Sequence, residues 1–113
     1  MGYAINFFGW NNTDNHDKVW GYVTIGEGTS AELYNFWGKR GKRLAFKKYP
    51  TGYSSAMELR KLAEKKEDKG YRPYPVSDIE EVCEGFIEQF EKELTLAKLF
   101  NNFRGRQIAD AYD

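Results

Sequence analysis

The segment Lys18-Val19-Trp20-Gly21-Tyr22-Val23-Thr24-Ile25 constrains the fold more than any other. In an extended strand Val19, Val23 and Ile25 fall on one face, and Trp20, Tyr22 and Thr24 on the other. Both faces are apolar, so both need cover, and one helix can cover only one of them. The chain offers strand partners on either side. "YAINFFGW" (3–10) reads as a first strand, "AELYNFWGK" (31–39) as a third and "KRLAFKKY" (42–49) as a fourth. The Asn/Asp-rich loop 11–17, "GEGTS" (26–30) and a tight turn at "KRG" (39–41) connect them. In the fourth strand Leu44 and Phe46 share a face opposite Lys47.

Two helical segments follow. Residues 54–69 place Ala56, Leu59 and Ala63 on one stripe beside Met57 and Leu62, with Ser55 and Glu58 at capping-box spacing and Gly70 to end the helix. "YRPYP" (71–75) is stiff, extended and reads as a boundary. Ser77 and Glu80 repeat the capping-box spacing. Beyond them Ile79, Val82, Cys83, Phe86, Ile87, Phe90, Leu94 and Ala97 line one side of a helix expected to run to about Phe103, with a bend or close packing at Gly85. The expectation is an α+β fold: a small antiparallel sheet of about four strands, one packed helix, and a C-terminal acidic amphipathic helix. Residues 1–75 form the domain and 76–113 the helical extension. That extension has three readings: it covers the second sheet face, it forms a homodimer through the 77–100 helix, or it lies over the basic turn as an acidic competitor.

Charge sharpens this division. The net charge of zero hides a split. Residues 1–75 hold 13 Lys/Arg against 8 Asp/Glu, a net of +5, and residues 76–113 hold 4 against 9, a net of −5. The basic half is densest where Lys39, Arg40, Lys42, Arg43, Lys47 and Lys48 supply six cations in ten residues. Clustered cations suit a phosphate backbone, because each neutralised phosphate releases counterions. The plainer alternative is a solvated hairpin. Trp37 sits at the head of this run. It shares a face with Leu33 and Asn35, opposite Tyr34 and Phe36, so it is either a stacking platform or a sheet-filling ring. Gly38 and Gly41 suit turn geometry and close approach. Arg60, Lys61, Lys65, Lys66 and Lys69 on the first helix interleave with carboxylates and read as a solvated face.

The ordered set "YNFWGKRGKR", a following strand, a helix and the ending Lys69-Gly70-Tyr71 resembles the WGR domain, a module named for its Trp-Gly-Arg triplet. The matching positions are Tyr34, Trp37, Gly38 and Gly41, and the resemblance spans roughly residues 17–75. It implies a small antiparallel sheet with one helix, and nucleic-acid binding. In the DNA-damage-responsive poly(ADP-ribose) polymerases this module grips DNA near a break, its Trp packing on a terminal sugar. Trp37 is the matching position here. The triplet's Arg is Lys39 in this chain, a point charge in place of a bidentate fork. Its role in signalling between domains is therefore not expected at Lys39.

The functional expectation is a non-catalytic module that binds nucleic acid, DNA in the first place, through Trp37, Gly38, Lys39, Arg40, Lys42, Arg43, Lys47 and Lys48. The alternative is a protein-interaction or inhibitor module acting through the aromatic sheet face or the acidic helix. No catalytic pairing, cofactor motif or metal-ligand set stands out: His16 lies in an Asn/Asp loop and Cys83 is the sole cysteine. No apolar run reaches the roughly 18 residues of a membrane span. The N-terminus lacks a basic start before its apolar residues. A cytoplasmic protein is expected.

Overall fold

The computed structural model describes residues 3–13 and 15–96. Five strands, β1 (Tyr3–Asn11), β2 (Lys18–Ile25), β3 (Glu32–Lys39), β4 (Ala45–Tyr49) and β5 (Arg72–Pro73), form one antiparallel sheet in the order β4-β3-β2-β1-β5. Helix α1 (Tyr53–Asp68) follows β4. After β5 come a 3-10 turn (Val76–Asp78), a short helix α2 (Ile79–Val82) and a longer helix α3 over 86–96. The fold is α+β and forms a single compact domain. The fifth strand lies in the "YRPYP" segment, where two residues add to the free edge of β1 opposite Gly9 and Trp10.

The register puts the strand faces where alternation places them. Tyr22 and Leu33 meet Tyr49 and Leu59 beneath α1, with Ala56 and Leu62 packed beside them. The opposite face carries Phe8, Val19, Val23, Tyr34 and Phe36. It is covered by Ile79, Cys83, Phe86, Phe90 and Leu94 of the C-terminal segment. The first of the three readings of that segment thus describes the packing: its apolar stripe is occupied by the chain's own sheet. The Phe86 and Phe36 rings lie 4.6 Å apart between centroids, and Phe86 stacks on Phe90 at 5.9 Å.

Gly21 makes the middle of this face possible. It pairs across strands with Phe36, and a Cβ there would overlap both the Phe36 ring and the Phe7 carbonyl oxygen. The β1 register shifts between Ile5 and Phe7, a bulge-like irregularity beside that point.

Several local expectations are corrected. The tail is not one continuous helix: Cys83 leaves helical geometry (φ −127°, ψ 78°), and Gly85 takes φ +88°, a left-handed conformation that suits glycine. The segment thereby folds onto the sheet in two pieces, and Ile87 points outward rather than joining the stripe. Ala97 and the helix's expected end near Phe103 lie outside the described residues. Neither capping box forms. Helix α1 starts after Gly52 with no side-chain cap, and Ser55 is buried inside it. Glu80 instead caps the next helix, its carboxylate accepting the N–H groups of Gly85 (3.0 Å) and Ile87 (2.9 Å). Strand β4 begins at Ala45 rather than at residue 42, because Leu44 turns into the core and its N–H goes to the Gln89 side chain.

Two substitutions test this packing in urea denaturation. Phe86→Ala is expected to lower stability by about 3–5 kcal/mol, whereas Ile87→Ala stays within about 1 kcal/mol. Gly21→Ala is expected to cost about 1–3 kcal/mol through overpacking, although alanine is the better strand residue. Equal effects at Phe86 and Ile87 would contradict the burial described.

Candidate nucleic-acid interface

Trp37 lies near the end of β3, where α1 no longer covers the sheet, and 39% of it is exposed. Its cross-strand partner on β2 is the buried Trp20, and its partner on β4 is the small Ala45. Trp20 is itself held edge-on by Phe7 at 5.8 Å and by Tyr22 at 6.2 Å. The strand position opposite Trp37 is therefore fixed by an aromatic row.

Three lysines share its face of the sheet. Lys39 is two residues on along β3, Lys18 is paired directly opposite Lys39, and Lys47 is two residues beyond Ala45 on β4. Lys18 and Lys47 are thus diagonal cross-strand neighbours of Trp37, with backbones about 7–8 Å away. Lys47 rests its ammonium 4.7 Å from the Tyr49 ring centroid. The Lys18–Lys39 pair sets like charges opposite each other, which destabilises a sheet. Neither has a carboxylate within ion-pair distance among the described residues. Lys66 near the end of α1 is close enough to feel the charges of Lys69 and Lys18. Burial, followed by the fields of Lys69 and Lys18, pulls the Lys66 ammonium below its ordinary pKa. The Lys66 ammonium also sits 5.5 Å from the Tyr71 ring centroid.

The other expected residues separate into different places. Gly38 and Lys48 belong to the opposite face: Gly38 packs against Leu44, and Lys48 pairs with Glu32 at 3.9 Å. Arg40 is held within the fold. Its Nε donates to Asp17 Oδ1 at 2.8 Å, its Nη1 donates to the Val82 carbonyl at 3.2 Å, and its guanidinium lies 4.8 Å from the Trp10 ring centroid. Asp17 also accepts the Trp10 indole N–H at 2.8 Å, and its carbonyl accepts the Arg40 backbone N–H. This knot joins the β1–β2 loop, the β3–β4 turn and α2. Lys42 and Arg43 stay exposed on the turn, which is closed by the Lys42 N–H to the Lys39 carbonyl. Gln89 of α3 fixes their backbone by donating to the Lys42 carbonyl (3.1 Å) and accepting the Leu44 N–H (2.7 Å).

Lys18, Asp17 and Gln89 were missed in the sequence because they come from segments far from the basic run. For Lys18 a signal existed, the antiparallel register that brings the start of β2 against the end of β3. For Gln89 there was none. Burial pushes the Cys83 thiol up while the nearby Gly41 N–H pulls the other way, leaving a neutral buried thiol. Among the described residues no group of three or more His, Cys, Asp or Glu could hold a metal ion. No helix among them is long and apolar enough to cross a membrane.

Comparison with known protein families, with curated proteins and with solved structures finds no match to this chain.

The Asp17 knot gives a pH prediction. The hydrogen bonds from Arg40 and then Trp10 hold the Asp17 carboxyl below its ordinary value of 3.8. A lowered folded-state pKa adds stability that is present above that ordinary value and lost as pH falls through the folded one. A carboxyl-detected NMR titration should place Asp17 below a free aspartate. Asp17→Asn should narrow the stability gap between neutral pH and pH values of about 3. An unchanged gap would show that the knot carries no charge coupling.

Proposed function

We propose that this chain is a non-catalytic nucleic-acid-binding module of WGR type, acting on DNA through Trp37 and the lysines around it. The observation that carries the reading is the Lys18–Lys39 cross-strand pair, with no ion-pair partner among the described residues, beside a half-exposed Trp37. Two lysines on paired strand positions next to an aromatic platform suit a bound polyanion: the ring meets a base or sugar while the ammonium groups meet phosphates. Solvated surface lysines have no need of a tryptophan at their centre.

The platform differs in membership from the linear basic run. Trp37, Lys39 and Lys47 remain in it, Lys18 joins it, and Lys42 and Arg43 border it from the turn. Arg40 supports the turn from within, and Lys48 faces away. Backbone contacts of this kind carry no sequence information, so binding is expected to be indifferent to base order.

Binding of labelled DNA measured across a salt series tests the reading. Neutralising about four phosphates predicts a log affinity–log salt slope of about −3 to −4. Trp37→Ala should weaken binding by about 1–3 kcal/mol with little change of slope, whereas Lys39→Gln should flatten the slope by about one unit. A slope near zero, or wild-type affinity after Trp37→Ala combined with Lys18→Gln and Lys39→Gln, would refute it.

A further inference from the structure

We infer that the Trp37 platform is one end of a track for single-stranded DNA, which turns around the β4 edge into a groove between the β3–β4 turn and α3. The inference rests on the nucleic-acid reading above and narrows it to a substrate class. Platform and groove are contiguous. Ala45 is the cross-strand neighbour of Trp37 and also lines the groove, so one strand spacing of about 4.8 Å separates them. Strand β4 is the outermost strand on that side, and at this point it presents only an exposed methyl group.

The groove has a volume of about 870 Å³, inside the roughly 300–1,000 Å³ of small-ligand clefts. Its charges are Lys42, Arg43 and Lys92 against Glu93 alone. Lys92 is informative. Residues 76–96 carry seven carboxylates and one cation, and that cation stands at this groove. Its ion pair with Glu88 at 3.4 Å is about three-quarters exposed on both sides, hence weak and readily exchanged for a phosphate. Gln89 holds the turn's backbone in place, so the groove is formed before anything binds. Phe46 and Leu96 give it an apolar wall for a base or sugar.

The path selects a flexible strand. It passes from a sheet face over an edge within about two strand spacings, whereas duplex DNA keeps its direction over about 150 bp. An exposed indole such as Trp37 also offers its face to an unstacked base, whose own face duplex stacking hides.

Fluorescence anisotropy of the full chain with a short oligothymidylate, a blunt duplex of equal length and an oligouridylate tests this, at about 50 and 200 mM salt. The oligothymidylate should bind at least about tenfold tighter than the duplex. Lys92→Gln should weaken it about fivefold and flatten its salt slope by about 0.7. Lys61→Gln, on the outer side of α1, should leave it unchanged, with both variants matching the parent in urea midpoint. Duplex binding as tight as single-strand binding, or wild-type affinity and slope in Lys92→Gln, overturns the track and leaves the nucleic-acid reading standing. Tighter binding of oligouridylate overturns the assignment to DNA. Binding to none of the three overturns both readings.

Discussion

The fold depends on one close approach: the Phe36 ring laid over the bare backbone of Gly21. A side chain on β2 at that point would lift the ring off the sheet. With glycine there, Phe36 lies low, and Phe8, Phe46 and Phe86 gather around it from β1, β4 and the C-terminal segment. The last contact turns an appended helix into part of the core. Residues 79–94 belong to the domain by packing, even though a proline-rich boundary separates them from it in sequence.

That docking reaches as far as the basic turn. A hairpin carrying four cations would repel itself and move. Here the Val82 carbonyl and Gln89 hold it from beneath, and Asp17 and Trp10 clasp Arg40 from the side. Arginine suits this post, since its planar fork serves two acceptors and a ring at once. The acidic segment therefore holds the turn through neutral groups, a carbonyl and an amide, and not through its carboxylates.

Strand alternation made much of this legible. The faces of β2 and β3, the split between Phe46 and Lys47, and the need for a second cover over Val19 and Val23 all follow from period-two reading. What stayed hidden belongs to three dimensions. A run of cations says nothing about which of them folding will engage, so Arg40 and Lys48 read like Lys39 and Lys42. Lys18 enters the site only through cross-strand register. Capping-box spacing misled twice, because Gly52 already bends the chain into α1 and because Glu80 reaches forward across the Gly85 break. Interior glycines were the harder signal: Gly21 marked a ring's seat and Gly85 a change of direction, and spacing alone does not separate the two.

The placement of the C-terminal segment has a further physical consequence. It lays seven carboxylates on the side of the sheet opposite Lys18, Lys39 and Lys47, in a chain whose charges sum to zero. Such a molecule has no monopole to be attracted or repelled at long range, but it has a moment across its sheet. In the field of any charged surface it rotates before it is drawn in. The first event of an encounter is then alignment, and ionic strength governs the orientation in which the protein arrives more than how often it arrives.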